Sequence, residues 1–371
     1  MMTPLAIPRA VLRQAQAIAD DFAAHTGVAV DAAELITGRA ALLDIAPAGQ
    51  VSAGGATRLL GARDGWIALT LSRTDDIATV PALLQADSID DDPWPEIGTW
   101  TAAITAAEAV ERARLLGLPV AVLGETSATP PVVTPLGSGK PGPLDGMLVA
   151  DLSSMWAGPL CGQLLARAGA TVVKVESTGR PDGTRAGSPE FFDWMNGGKL
   201  SYVVDFDAPQ ELAALLCAAD VVIESSRPAA LARRELGPVT VAARPGRIWL
   251  RITGHGAEGE RADWVAFGDD AAVSGGLVGY RDGTPVFLGD ALADPLTGLQ
   301  AAAAIAASRG RGGGELIELS MAAVAAGYRC QTADQIEVTP SRPAIASTGR
   351  ELGVDNAAVR ALVAQRNTAP C

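Results

Sequence analysis

Histidine and cysteine are scarce. His25 and His255 are the two histidines, and the four cysteines Cys161, Cys217, Cys330 and Cys371 lie far apart with no CxxC pair. Two histidines supply few parts for an imidazole-based metal site or a Ser-His-Asp triad, and neither HExxH nor GxSxG occurs. Isolated cysteines argue against a zinc site or a disulfide framework, so the thiols read as reduced and no metal is expected. Lysine is also scarce for a chain of 371 residues, limited to Lys140, Lys174 and Lys199, and the net charge is −13. Nucleic-acid binding in general needs basic groups to neutralise phosphates, so this balance excludes it as an expectation. Long apolar runs are also missing. Leu299 to Ala307 comes closest, and Ser308 and Arg309 end it, which is too short for a membrane span. The apolar start from Met1 to Arg9 is too short for a signal peptide and is followed by Arg13 and Asp20-Asp21, so a cytoplasmic protein is expected.

What remains is 48% hydrophobic and 19% charged, the composition of a globular chain, and its length exceeds what one core comfortably serves. Two domains are expected. Arginines stand at Arg180 and Arg185 and again at Arg227, Arg233 and Arg234, so an anionic ligand would be gripped by guanidinium forks.

Helical spacing runs from Arg9 to about Asp44, with Leu12, Ala15, Ile18, Ala19 and Phe22 on one side and a turn at His25-Thr26-Gly27. Residues 1–49 are thus a helical lead-in. Residues 50–128 read as a small α+β domain, with a strand at Trp66 to Leu71, helical patterns at Ile77 to Leu84, Trp100 to Ile104 and Ala106 to Leu116, and a short strand at Pro119 to Leu123. Pro130-Pro131 and Gly137-Ser138-Gly139 give residues 129–143 the composition of a linker. Residues 144–330 then alternate: strands at Met147 to Leu152, Thr171 to Glu176, Ser201 to Phe206, Val221 to Ile223 and Ile248 to Ile252, with helices at Leu160 to Ala168, Gln210 to Ala218 and Ala229 to Glu235. Near-continuous apolar strands separated by helices imply a parallel sheet covered on both faces, so the large domain is α/β and Rossmann-like. A helix at Pro295 to Ser308 and a strand at Leu316 to Leu319 close it. Residues 331–371 form a polar tail with one helix near Asn356 to Gln365.

Single motifs say little. Gly254-His255-Gly256-Ala257-Glu258-Gly259 satisfies GxGxxG after a strand, but it sits late in the domain and opens no apolar helix, so a glycine-rich turn is the better reading. Asp294 before Pro295 has the form of a helix N-cap followed by a first helical proline. A helix N-terminus also favours an ionised carboxylate, so a capping and a reactive Asp294 are compatible. His255 reads as a turn residue, Gly54-Gly55 as a turn, and the arginines as solvated charges.

A larger pattern is more specific. Pro143-Leu144-Asp145-Gly146, Val149-Ala150-Asp151-Leu152-Ser153, Ala157-Gly158-Pro159 and Gly169-Ala170-Thr171-Val172-Val173-Lys174-Val175-Glu176 resemble the opening of the family III CoA-transferases. That group contains formyl-CoA transferase, carnitine CoA-transferases and α-methylacyl-CoA racemase. Further landmarks keep the family's order: Asp220 to Glu224 with Arg227-Pro228, Ile252 to Gly256, Ser274-Gly275-Gly276, Ala293-Asp294-Pro295-Leu296-Thr297-Gly298, and Glu315 to Ser320. Gly54-Gly55, Asp64-Gly65-Trp66 and Leu116 to Val120 resemble the family's small domain, which here precedes the large one, and Glu351 to Asp355 resembles its C-terminal end. The chain therefore reads as a rearranged order of the family's parts.

The resemblance implies the fold already expected and an enzyme that moves CoA between an acyl-CoA and a carboxylic acid through an aspartyl-CoA intermediate. Asp294 matches the catalytic aspartate. Gly54 and Gly55 match the glycine loop, whose backbone N–H groups would face the developing oxyanion, at about 3 to 4 kcal/mol per donor. Trp156, Ala157, Asp205, Ser225, Ser226, Arg227 and Arg233 match CoA-contacting positions. Glu224-Ser225-Ser226 departs from a family pattern with Asn-Phe, and Asn196-Gly197-Gly198-Lys199 replaces a more basic stretch. No cofactor is expected to stay bound, since coenzyme A comes and goes as substrate, and a homodimer without nucleic-acid or membrane partners is implied. Two alternatives remain. One is a 2-methylacyl-CoA racemase, for which Asp269 or Asp270 would have to replace a histidine base. The other is a CoA-binding homologue that has lost activity.

Overall fold

The structure, a computed structural model, describes residues 3–329 and 335–368. Cys330, Cys371 and the start of the C-terminal tail lie outside the described residues. At the centre is a seven-stranded sheet in the order Val132–Pro135, Glu315–Ser320, Ile248–Thr253, Val221–Glu224, Leu148–Asp151, Thr171–Glu176, Leu200–Val203. All neighbours are parallel except the first pair. Counting only the parallel strands along the chain, the order is that of a doubly wound sheet, 3-2-1-4-5-6, whose switch point falls between Leu148–Asp151 and Val221–Glu224.

Strand periodicity builds two cores. Val149, Val172, Ile223, Leu250 and Ile317 point to one face, and Ala150, Val173, Val222, Trp249 and Leu316 to the other. On the first face lie the helices Ala157–Arg167 and Ala293–Arg311, and over them Arg9–Thr26, which buries Val11, Ala15, Ala19 and Phe22. The second face is covered by Gln210–Ala218 and Asn356–Thr368 through Leu212, Leu215, Leu216, Val359 and Val363. Asn356 also seals the sheet edge, accepting from Val203 N–H at 2.9 Å and donating to Val203 C=O at 3.1 Å.

The three-stranded antiparallel sheet Thr57–Gly61, Trp66–Thr70, Val120–Val122 packs Leu60, Ile67 and Leu69 against the helices Thr74–Leu84, Trp94–Ala102 and Ala106–Leu115. Its opposite face, through Leu59 and Ala68, packs on Val273, Val278 and Phe287 of the large unit. The helical start divides at Gly27, which takes a left-handed φ of 74°, and the next helix Ala32–Leu43 is capped by Asp31, whose side chain accepts from Ala33 and Glu34 N–H.

Several elements differ from the sequence expectation. Within the stretch of linker composition, Val132–Pro135 is an edge strand paired with Glu315–Ser320, and its one proline, Pro135, is tolerated because one side needs no donors. The strand expected to reach Phe206 ends at Val203; beyond it, the side chain of Asp205 accepts from Asp207 N–H in a local turn. Leu5–Pro8 and Gln335–Val338, too short to show a period, pair with each other.

Candidate active site

Two helices cross where the chemistry would lie. Gly298 of the long helix Ala293–Arg311 meets the first turn of Ala157–Arg167 so closely that a Cβ there would sit 2.6 Å from Ala157 C=O. One turn earlier on the same face stands Asp294, the second residue of its helix. The N-cap expected from Asp294-Pro295 is not formed: the helix starts at Ala293, the residue before it is Leu292, and no side chain caps it. The carboxylate of Asp294 instead accepts from the N–H of Ala157 at the start of the neighbouring helix. Two helix N-termini thus converge on one carboxyl group, and both favour its anion. Gly268 makes room for it, because a Cβ there would lie 2.2 Å from Asp294 Oδ2 and 2.6 Å from Ala291 C=O.

Three further aspartates surround Asp294. Asp269 accepts from Ala291 N–H at 3.1 Å and from the Thr57 hydroxyl at 3.4 Å. Asp270 accepts from Phe267 N–H and from the Thr70 hydroxyl, both at 2.9 Å, and Thr70 in turn shares a 2.9 Å hydrogen bond with Thr57. The small sheet therefore reaches the carboxylates through a chain of hydroxyls. Asp290, fully buried, pairs with Arg39 at 2.5 Å. Ala291, held at a φ of 43°, joins the group by donating to Asp269 and accepting from Asp294 N–H at 2.9 Å. A non-glycine residue in that region is strained, and such strain is common where side chains must be aimed.

Burial outweighs the favourable dipoles. It pushes the Asp294 carboxyl up to about 7; Arg39 pulls it down, while Asp269 and Asp290 push it further up. Burial, with the charge of Asp290 next, raises Asp269 to about 6, and burial raises Asp270 to about 8. Asp290 is raised for the same reason, with Arg39 opposing.

The residues singled out in the sequence fall into two groups. Gly54 approaches the aspartate cluster, since a Cβ on it would lie 3.6 Å from the Arg39 guanidinium. Gly55, at a φ of 75°, donates its N–H to Ser52 C=O at 2.9 Å and closes the turn, so of the pair only Gly54 has an N–H without a partner among the described residues. Trp156 and Ala157 lie beside Asp294, but the Trp156 ring is buried under Arg39 and only 3% exposed. At the switch point, Ser225, Ser226 and Arg227 follow one strand as Trp156 and Ala157 follow the other. Arg227 and Arg233 are exposed and make no ion pair among the described residues. Asp205 is exposed at the end of Leu200–Val203, further out along the sheet. The GxGxxG segment leads into a short 3-10 turn, Gly259–Asp263, and no helix.

Residues 144–359, more than half of the chain, match the sequence model of CoA-transferase family III. The chain belongs to that family. It is 35% identical over 198 residues to a succinate–glutarate CoA-transferase of Agrobacterium fabrum, covering 47% of this chain and 49% of that protein. It is 32% identical over 199 residues to a succinyl-CoA–D-citramalate CoA-transferase of Chloroflexus aurantiacus, covering 49% and 50%. A solved CAIB/BAIF family protein from Brucella suis is 30% identical, with 51% of this chain and 55% of that chain covered at a TM-score of 0.45. The chain spans about half the length of the curated relatives it matches. The family match contains Asp269, Asp270, Asp290 and Asp294. Gly54, Gly55 and Arg39 lie before it. Arg39 and Asp290 had no local signature: they are 251 residues apart in the chain and meet only in the fold.

Proposed function

We propose that the protein transfers CoA between an acyl-CoA thioester and a carboxylic acid, with Asp294 as the nucleophile. The observation that carries this reading is the placement of Asp294: its carboxylate lies at the start of two helices, against Gly268, beside the carboxyl ends of the parallel strands. An oxygen of Asp294 attacks the thioester carbonyl and expels CoA thiolate, leaving a mixed anhydride. The thiolate attacks the aspartyl carbonyl, releases the first acid as its carboxylate and forms an aspartyl-CoA thioester. The acceptor carboxylate attacks that thioester, a second anhydride forms, and the thiolate recaptures the new acyl group and frees Asp294. No net proton is consumed. Gly54 N–H would serve the developing oxyanion, and Arg227 and Arg233, with Ser225 and Ser226 beside the switch point, would hold the phosphates and pantetheine of CoA. The same reading includes a cytoplasmic homodimer, which sedimentation velocity on the purified protein decides for assembly and cell fractionation for location.

A panel of acyl-CoA donors and acid acceptors followed by mass spectrometry tests the reaction. New acyl-CoA that depends on both donor and acid supports it. A protein that binds CoA and transfers nothing is the silent homologue instead. Asp269 brings a second carboxylate near Asp294, as a two-base racemase needs, but both its oxygens already accept hydrogen bonds. We therefore expect no deuterium uptake at the α-carbon of a 2-methylacyl-CoA in deuterated water; rapid uptake identifies a racemase.

A further inference from the structure

Arg39 stands apart from the family match, in the helix Ala32–Leu43, yet its guanidinium reaches the centre of the site. Nη1 pairs with Asp290, while the edge-to-face pair of Trp156 and Phe191, 5.4 Å apart, lies 5.5 and 5.6 Å from the guanidinium carbon and supports it from one side. Nη2 points toward Gly54, whose N–H has no partner among the described residues, and the side chain keeps 24% of its surface exposed. Its charge acts on Asp269, Asp290 and Asp294 together. With these aspartates ionised the pocket is net negative and repels an incoming carboxylate. The acceptor acid thus needs a cation, and this one turns its second nitrogen toward Gly54 while its charge acts on Asp294.

We propose that Arg39 is the carboxylate-binding residue of this site: its free guanidinium edge holds the acceptor acid beside Asp294, while Asp290 fixes the opposite edge. This rests on the transferase reading and adds a residue to it from outside the matched region. A fork that keeps one edge on a buried partner and offers the other to a ligand is pre-oriented, which lysine does not reproduce.

The test is isothermal titration of the full chain with glutarate as a dicarboxylate probe, and separately with CoA. Arg39→Gln should weaken glutarate binding by about 10- to 100-fold, the usual worth of a charge-assisted hydrogen bond, and leave CoA affinity unchanged, with Arg39→Lys in between. Because Arg39→Gln leaves Asp290 buried and unpaired, the double variant Arg39→Gln/Asp290→Asn is measured beside it and should show the same loss while folded. Wild-type glutarate affinity in a folded variant overturns the proposal, as does absence of glutarate binding by the wild type at tens of millimolar. If the variants lose glutarate and the wild type forms no adduct on Asp294 with any acyl-CoA, the transferase reading fails and the Arg39 subsite stands. If the adduct forms and the variants bind glutarate normally, the subsite fails alone.

Discussion

Asp294 combines two opposing influences on one carboxyl group. The Ala157 N–H and two helix N-termini stabilise the anion, and burial beside Asp269 and Asp290 destabilises it by more, so its proton is held up to about 7. A nucleophilic carboxylate must be ionised. The account predicts that kcat/KM for CoA transfer rises with pH and levels off above about 7, with the rate at pH 6 about a tenth of the plateau. A profile flat from pH 5 to 8 would show that this group does not carry the reaction. At this scale the sequence was informative by resemblance only. Without the resemblance Asp294 read better as a cap, and the structure removes that reading because its helix begins earlier and its carboxylate accepts from a different helix.

Among the elements, the short helix Gly268–Ser274 brings together Asp269, Asp270 and the bare backbone against Asp294. Gly268→Ala places a methyl group 2.2 Å from Asp294 Oδ2 and 2.6 Å from Ala291 C=O, so both must move. We expect a loss of about 1 to 3 kcal/mol of stability and a fall in transfer rate of at least about a hundredfold, read by thermal unfolding and steady-state kinetics. Wild-type rates in a folded Gly268→Ala protein would mean that the contact does not position the nucleophile. The strands and helices themselves were legible, because Val149, Val172, Val221 and Leu250 stand in short apolar runs that only a sheet covered on both faces can bury. The pairing of Leu5–Pro8 with Gln335–Val338 was not, since four residues carry too little pattern and their partners are fixed by the rest of the fold.

The whole molecule places its own small sheet on the large unit. Ser52, Thr57 and Thr70 of the small unit reach Asp269 and Asp270 of the large one, which follows it in the chain. That the fold brings Gly54 to the aspartates, and Arg39 with it, was not visible in the sequence, because the closing contacts join residues 200 or more positions apart. Such a cluster also marks the stability of the fold. Asp269, Asp270 and Asp294 bind their protons more tightly when folded than in the unfolded chain, so their contribution is fully present below about pH 4 and is lost as pH rises through about 6, 7 and 8. The unfolding temperature should therefore decline from pH 5 to 9, and Asp270→Asn, which keeps an acceptor for Phe267 and Thr70, should flatten the decline and unfold higher than wild type at pH 9. An equally steep decline in that variant would contradict this assignment.

The central claim is the covalent role of Asp294, and trapping tests it most directly. The protein is incubated with an acyl-CoA that supports turnover, quenched with hydroxylamine or borohydride, digested and examined by mass spectrometry. The account predicts a modification on the peptide carrying Asp294 that needs acyl-CoA, and its absence in Asp294→Asn, together with loss of turnover in a protein that stays folded. A folded Asp294→Asn protein that transfers CoA at near wild-type rates, or turnover in the wild type with no adduct on that peptide, would contradict it.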